Sequence, residues 1–342
     1  MTIAKPKVKG YMKLLSMSEM GDPQPPRWLV KPLLLRRTVA MLYGPAGSGK
    51  SFAILSMALA IATGREWFGH RTTKGPTVYV VGEGSDGIHA RAFAWRQRYG
   101  SDAPDAKFIL HPVMVANEDE RAAFIAAMKP LHPVLVILDT LSTMTPGLDE
   151  NESSDMSLFL GGCREIANVL DACVVVVHHP TKSNPEGYRG SYRLQGDLDT
   201  LLNVQGSLSP NGYLDISISC AKQKDSRFFP EVKLSTTLEV IKEAQGEDDA
   251  IESLVVIPHE AVAINSKLKP NEQLTLDMAK TLGEGTFTTQ QLVAAVDAAR
   301  GKDSKSSIKN VWLPSLVARS LIERIAEGIY RVSTTANPVI FH

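Results

Sequence analysis

The sequence lacks the signatures of a secreted or membrane-spanning protein. It has only three cysteines, Cys163, Cys173 and Cys220, which lie too far apart for the paired spacing of a zinc or redox motif. No run approaches the roughly 18 apolar residues of a membrane-spanning helix, and the polar N-terminus has no apolar stretch like that of a signal peptide. We therefore expect free thiols in a reducing cytoplasm, and no membrane partner.

The chain also lacks net charge. Lys and Arg together number 37, and Asp and Glu together also number 37. No global field therefore draws the protein toward a polyanion, so any surface that binds nucleic acid must be a local basic cluster. Hydrophobic residues make up 44% of the chain, which is an ordinary share for a globular protein. The length of 342 residues allows one large domain and one small one.

Short β-branched runs alternate with longer helical stretches between residues 37 and 258, which is typical of an α/β fold. Two of the runs are apolar on both faces, as strands in the middle of a parallel sheet are. Strands are predicted at residues 38–43, 77–81, 134–138 and 173–177, with a helix at 51–62. Residues 214–219 alternate apolar with polar and predict a strand that pairs antiparallel with residues 200–204. Residues 254–257 predict a last strand.

The composition shifts to helix formers after a linker at residues 263–269. The first helix is predicted at residues 271–282, the second begins after an N-cap at Thr288, and the third is predicted at 304–319. Two strands follow, at 321–325 and 329–332. Three helices and two strands predict a winged helix-turn-helix domain over residues 270–342. Pro314 costs about 3 kcal/mol inside a helix or forces a kink, which leaves open that the third helix is two short pieces. The remaining boundaries are an arm at 1–27 and an α/β core at 28–262.

A glycine-rich loop joins the first predicted strand to the first predicted helix. Residues 44–51 match the pattern GxxxxGK[ST] in full, and the strand and helix on either side are the context that confirms it. The glycines let several backbone N–H groups face a phosphate, Lys50 reaches the β- and γ-phosphates, and the Ser51 hydroxyl binds Mg²⁺. The predicted ligands are ATP and Mg²⁺, held by Gly44, Pro45, Ala46, Gly47, Ser48, Gly49, Lys50, Ser51 and Phe52.

Two acids are candidates for the rest of the site. Asp139 follows a buried apolar run, where P-loop enzymes carry the acid that binds Mg²⁺, although an Asp before Thr140 also suits a simple turn. No second acid follows Asp139 to activate the attacking water. Glu83, which follows the strand at 77–81 between two glycines, is the better candidate for the catalytic base; the alternative is a loop acid without a role.

Several segments in order resemble the RepA-like AAA ATPases, which are RecA-fold, hexameric, helicase-like proteins of plasmids and phages related to DnaB. The resemblance covers roughly residues 25–260 and implies a RecA-like P-loop core in a bacterial host cytosol. The segments are Pro-Pro-Arg-Trp-Leu-Val at 25–30, the loop at 44–51, Ala-Thr-Gly-Arg at 62–65, Val-Tyr-Val-Val-Gly-Glu-Gly at 78–84 and Val-Val-His-His-Pro at 176–180.

The resemblance implies roles for further residues. Glu83 matches the catalytic glutamate, and His178 and His179 match paired histidines of which one senses the γ-phosphate. Two buried or capping histidines are the alternative, and a zinc role lacks further ligands at the required spacing. Lys222 and Lys224 match a segment that reaches the neighbouring subunit's ATP as a finger in trans. Related helicases often have Arg where Lys224 stands, which leaves Arg227 open as the finger.

A finger in trans implies a homo-oligomer, most simply a hexamer, and two regions are candidates for binding DNA. Cations beside aromatic residues favour a single-strand grip in the loop after residue 180, with a solvated loop as the alternative. The residues are Lys182, Arg189 and Arg193, near Tyr188 and Tyr192. In the C-terminal domain, Lys305 and Lys309 lie where a recognition helix meets DNA, although winged helices also dock proteins.

Three functions remain open from the sequence. The first is an ATP-dependent DNA helicase or translocase of phage or plasmid replication. The second is a phage recombination or strand-annealing ATPase that coats DNA as a filament. The third is a DNA-binding regulator that uses ATP only as a switch for assembly.

Overall fold

The structure is a computed structural model that describes residues 14–179, 196–209, 212–224, 226–243, 250–259, 269–283, 285–318 and 321–332. The strands are β1 (Trp28–Val30), β2 (Leu34–Leu35), β3 (Val39–Tyr43), β4 (Thr77–Val81), β5 (Ala106–Ile109), β6 (Leu135–Asp139), β7 (Cys173–His178), β8 (Thr200–Leu208), β9 (Leu214–Gln223), β10 (Val232–Lys242), β11 (Ile251–Pro258), β12 (Thr286–Thr288), β13 (Ile322–Ala326) and β14 (Ile329–Val332). The α-helices are α1 (Lys50–Thr63), α2 (Ser85–Tyr99), α3 (Glu118–Met128), α4 (Leu141–Met144), α5 (Ser153–Leu170), α6 (Pro270–Thr281), α7 (Thr289–Arg300), α8 (Lys305–Ser307) and α9 (Leu313–Ala318); short 3₁₀ helices lie at Met17–Met20 and Lys129–Leu131.

A nine-stranded sheet with the order β11-β10-β9-β8-β3-β7-β6-β4-β5 forms the centre of the main domain. The six strands from β8 to β5 run parallel, and their carboxyl ends therefore meet at one edge of the sheet. The strands β3, β4, β6 and β7 are buried along their whole length because helices cover both faces, with α1 and α2 on one side and α3 and α5 on the other. The predicted α/β class with a largely parallel sheet is confirmed.

The antiparallel part of the sheet is larger than the sequence predicts. β8 and β9 pair as expected, from Thr200 opposite Gln223 to Leu208 opposite Leu214, but both run several residues further than predicted. β10, which the sequence analysis missed, pairs with both β9 and β11. Its first half is the buried part, and Leu238 and Val240 in its second half are exposed.

The C-terminal residues pack around a separate apolar cluster that includes Leu276, Phe287 and Trp312. Thr288 caps α7 as predicted, with its hydroxyl accepting from the Gln291 N–H at 3.2 Å. The third helix does not break at Pro314: a π-helical turn at Ile308–Trp312 joins α8 to α9, and the Leu313 N–H donates to the Ile308 carbonyl. This wider turn accommodates the proline and separates two short α-helical pieces, the alternative that the sequence leaves open, while the helical turns remain continuous.

The C-terminal sheet has the order β12-β14-β13, and β12 was not predicted. Two of the three cysteines, Cys163 and Cys173, are buried free thiols, as expected. Among the described residues, no helix is long and apolar enough to cross a membrane.

Candidate functional site

The glycine-rich loop lies at the carboxyl edge of the parallel sheet, between the end of β3 and the start of α1. Gly49 adopts a left-handed conformation, with φ of 87°, that side chains rarely tolerate. At Gly44 a Cβ atom would run into the backbone carbonyl of Val204 on β8. The loop therefore has the tight curl that phosphate binding requires, and β8 lies directly against it.

Lys50 is buried at the centre of this loop, with 2% of its surface exposed. Its Nζ atom donates to the carbonyl oxygens of Gly44 and Pro45, each at 2.7 Å. Burial lowers the pKa of Lys50 to about 8, although the carboxylates of Asp139 and Glu83 act in the opposite direction. A phosphate at this point would supply the counter-charge that the buried ammonium group needs.

Asp139, the predicted Mg²⁺ ligand, ends β6 and is buried, whereas the sequence predicts it at the exposed end of the strand. The hydroxyl of Tyr79 on the neighbouring strand β4 donates to its Oδ2 atom at 2.5 Å. Oδ1 is also buried, and it accepts no hydrogen bond from any described residue. A buried carboxylate oxygen without a donor fits a divalent cation, since Mg²⁺ prefers oxygen ligands.

Tyr79 is held protonated beside Asp139, one of the two predicted Mg²⁺ ligands. Burial, together with the negative charge of Asp139, raises the pKa of the Tyr79 phenol well above its ordinary value. The nearby Ser51 hydroxyl acts in the opposite direction on this pKa. The phenol therefore stays protonated and donates to Asp139.

The two histidines and Glu83 lie at the same edge. His178 ends β7 and pairs in register with Tyr43, the last residue before the loop. The Nε2 atom of His179 is 3.6 Å from Glu83 Oε1, and the Nδ1 atom of His178 is 3.9 Å from Glu150 Oε2. Burial lowers the pKa of His178 to about 4, helped by the charges of His179 and Lys50, so His178 is a neutral imidazole at physiological pH.

His179 is a neutral side chain for a similar reason. Burial and the nearby Lys50 ammonium group lower its pKa, while the carboxylates of Glu83 and Asp139 oppose the shift. Its Nδ1 atom is buried and has no hydrogen-bond partner among the residues described. The fold thus places Glu83, both histidines and Asp139 around one phosphate loop.

The predicted finger residues lie at the opposite edge of the sheet. Gln223 pairs with Thr200, and Thr200 pairs with Ala40 near the start of β3. The length of β3 separates this edge from the loop, which at about 3.3 Å per residue is more than 10 Å. Lys222 Nζ donates to the Gly196 carbonyl at 3.0 Å, and Lys224 Nζ lies 3.7 Å from Asp199 Oδ1.

The structure describes some of the remaining predicted site residues but not all of them. Arg227 is exposed at the same edge as Lys224. Phe52 lies under the Arg91 guanidinium group, 4.7 Å from the ring centre, on the first turn of α1. Lys305 and Lys309 are both exposed, one helical turn apart. Three predicted DNA contacts lie outside the described residues: Lys182, Arg189 and Arg193.

Sequence reasoning missed two residues of the site. Tyr79 stands in an apolar strand, and a buried tyrosine hydroxyl usually needs a partner, which was a usable signal. Gly206 interrupts β8, and a Cβ atom there would come within 2.6 Å of the Ser48 Cα atom. A glycine inside a strand often marks the close approach of another backbone, which here is the phosphate loop.

Comparison with known proteins identifies the family of the chain. None of the curated proteins matches the chain. The model of AAA_25, an AAA domain family, matches residues 10–185, slightly more than half of the 342 residues. The matched range includes the phosphate loop, Glu83, Asp139 and both histidines. The protein therefore belongs to the AAA_25 family, a family of AAA-type ATPases with a RecA-like core.

Proposed function

We propose that the protein is an ATP-dependent DNA helicase or translocase of phage or plasmid replication that hydrolyses Mg·ATP between subunits. The observation that carries the proposal is the separation of two sets of groups. The phosphate loop lies at the carboxyl edge of the sheet, whereas Lys222 and Lys224 lie at the amino edge. These lysines lie more than about 10 Å from the loop of their own subunit, which supports a site that a neighbour completes.

Each group at the carboxyl edge has a role in hydrolysis that its environment supports. Lys50 and the loop backbone hold the phosphates, and Ser51 with Asp139 holds Mg²⁺, which neutralises charge on the phosphates when bound. Glu83 is exposed enough to meet a water molecule, and it orients and deprotonates that water. His179 fixes the Glu83 carboxylate, and neutral His178 offers a ring N–H to the γ-phosphate.

A neighbour's cations would complete this site. Lys222, Lys224 or Arg227 from the adjacent subunit stabilises the charge that develops on the transferring phosphate. Such a head-to-tail contact closes into a ring or continues as a filament. A ring, most simply a hexamer, lets successive hydrolysis events move the segment predicted to contact DNA, with Lys182, Arg189 and Arg193, along one DNA strand.

The decisive experiment is unwinding of a forked DNA duplex with ATP and Mg²⁺, followed by the release of a labelled strand. We expect unwinding by the wild type, and none by Glu83→Gln, which should bind ATP but hydrolyse it at least about 100-fold more slowly. Glu66→Gln, an exposed glutamate outside the site, is the matched control and should unwind normally.

Other outcomes of the same experiment would favour one of the two alternative functions, the recombination ATPase or the ATP-switched regulator. Annealing of complementary strands without unwinding, together with filaments in electron micrographs, would replace the helicase with a recombination ATPase. Full hydrolysis by Glu83→Gln would contradict the proposed mechanism. DNA binding that needs ATP but not its hydrolysis would leave only a regulator that ATP switches.

A further inference from the structure

A basic groove of about 420 Å³ opens far from the phosphate loop. Its volume lies within the range of about 300–1,000 Å³ that is usual for ligand sites. It lies beside Arg36, just before β3, and Asp171, just before β7, and therefore at the amino edge of the parallel sheet. Four cations, one tryptophan and two threonines are prominent in its lining: Arg27, Lys31, Arg36, Arg71, Trp28, Thr72 and Thr73.

Two extended segments fix the walls of this basic groove. The Lys31 N–H donates to the Arg71 carbonyl at 3.0 Å, and the Thr73 N–H donates to the Leu29 carbonyl at 2.8 Å. The Thr73 hydroxyl adds a bond to the Trp28 carbonyl at 2.8 Å. Leu29 is completely buried in the main core, so the backbone that lines the groove is anchored to that core.

The charge in the groove is strongly unbalanced. Asp171 is the acid that pairs with two of the cations: Arg27 donates to its Oδ2 atom at 2.5 Å and Arg36 to the same atom at 3.1 Å. Lys31 and Arg71 are exposed and form no ion pair with any residue in the described ranges. In a chain whose 37 basic and 37 acidic residues balance, this local excess needs an explanation.

We propose that the basic groove binds the backbone of single-stranded nucleic acid, with the exposed cations on phosphates and a base stacked on Trp28. Cations beside an aromatic ring are the arrangement that single-strand binding uses, because every base has a face that can stack. A concave groove accepts a flexible strand, whereas a rigid duplex presents a convex surface. The groove shares no residue with the segment proposed to contact DNA in the helicase, and it goes beyond that function by adding a second contact for the strand.

The test compares two double variants that change the charge by the same amount. Lys31→Glu/Arg71→Glu alters the groove and leaves Arg27, Arg36 and Asp171 in place. Lys107→Glu/Lys129→Glu alters two exposed cations outside it. Binding of a labelled single-stranded oligonucleotide is followed by fluorescence anisotropy at several salt concentrations, without ATP.

We expect the groove variant to bind at least about tenfold more weakly, and its salt slope to fall by about 1.4, since each phosphate contact on a single strand contributes about 0.7. The control variant should match the wild type. The tryptophan fluorescence of the wild type should fall on binding, and Trp28→Phe should lose that change and keep most of the affinity.

Specific outcomes would overturn the proposal. Unchanged affinity and salt slope in the groove variant would remove the site. An equal loss of affinity for a poly-glutamate peptide, or for free triphosphate, would show a general anion site or a protein-docking surface instead. Retained binding of an ATP analogue establishes that the variant is folded; if it is lost, Lys31→Gln/Arg71→Gln gives the same comparison with a milder change.

The experiments distinguish a failure of the groove proposal from a failure of the helicase proposal. Binding that depends on Lys31 and Arg71 in a protein that does not unwind DNA refutes the helicase alone. Unwinding together with groove-independent binding refutes the groove alone.

Discussion

At the scale of single residues, the Tyr79 hydroxyl donates to Asp139, one of the two groups expected to hold Mg²⁺. Replacing Tyr79 with Phe removes the hydroxyl that donates to Asp139 and leaves a buried carboxylate oxygen without a partner. We expect Tyr79→Phe to lose about 1.5–3 kcal/mol of the free energy of unfolding. We also expect it to need about tenfold more Mg²⁺ for half-maximal binding of an ATP analogue, because the carboxylate loses its orientation.

Tyr99→Phe is the matched control for this change. The Tyr99 hydroxyl donates to the Val256 carbonyl at 2.6 Å, away from the phosphate loop. The control should lower the stability by about 0.5–1.5 kcal/mol and leave the Mg²⁺ requirement unchanged. An unchanged Mg²⁺ requirement in Tyr79→Phe would show that the phenol only fills space.

His178 should make the stability of the protein depend on pH. The unfolded chain takes up a proton on this histidine as the pH falls through about 6.5, whereas the folded protein does so only near its lowered pKa of about 4. Stability is therefore complete above about pH 6.5 and declines below it, by about 2 kcal/mol at pH 5. His178→Asn should lose that part of the pH dependence.

Urea unfolding of the wild type and of His178→Asn, at about pH 7.5 and about pH 5, measures the difference. The variant is expected to be less stable at the higher pH but to change less between the two. The same decline in both proteins would contradict the assignment to His178.

At the scale of elements, the β8–β9 hairpin shapes the phosphate loop. Gly206 on β8 lies so close that an added Cβ atom would meet the Ser48 backbone at 2.6 Å. Neither backbone can move without distorting its element, so we expect Gly206→Ala to cost about 1–3 kcal/mol of stability. We expect it also to weaken binding of an ATP analogue, measured by titration calorimetry.

Gly161→Ala is the corresponding control, because a Cβ atom there has no neighbour within 4 Å. It lies inside α5, where Ala is favoured over Gly by about 0.5–1 kcal/mol, so stability should rise slightly and nucleotide affinity should not change. Normal nucleotide binding by Gly206→Ala would mean that the hairpin does not set the shape of the loop.

At the scale of the whole molecule, a shared site predicts that two inactive variants restore each other. Lys50→Ala lacks the phosphate-binding lysine but keeps the cations at the amino edge. The second variant, Lys222→Ala/Lys224→Ala/Arg227→Ala, lacks these cations but keeps the phosphate-binding lysine. Random mixing of equal amounts makes about a quarter of the head-to-tail interfaces complete, so about a quarter of the wild-type ATPase rate should return.

The mixed ATPase rate, and the mass by light scattering with Mg²⁺ and an ATP analogue, check this prediction. No recovery in an oligomer of normal size would show that the cations act elsewhere. A monomer under these conditions would contradict the shared site altogether.

The sequence predicted the strands and helices that are regular and apolar, and it failed where tertiary contacts decide the structure. β3, β7 and α1 lie within a residue or two of their predicted bounds, since their apolar pattern is continuous. β10 was not predicted, and it is the pairing with β9 and β11 that places it in the sheet. Pro314 predicted a kink or a break, and a π-helical turn avoided the break.

The sequence by itself identified the phosphate loop, because the pattern that marks it lies in eight consecutive residues with glycines at fixed positions. Tertiary structure alone decided what surrounds it. The strand order β3-β7-β6-β4 brings Tyr79 to Asp139 and His179 to Glu83 across 60 or more residues of chain. The same order, with β8 and β9 beside β3, sends Lys222 to the far edge of the sheet, since a strand's direction decides at which edge its residues lie.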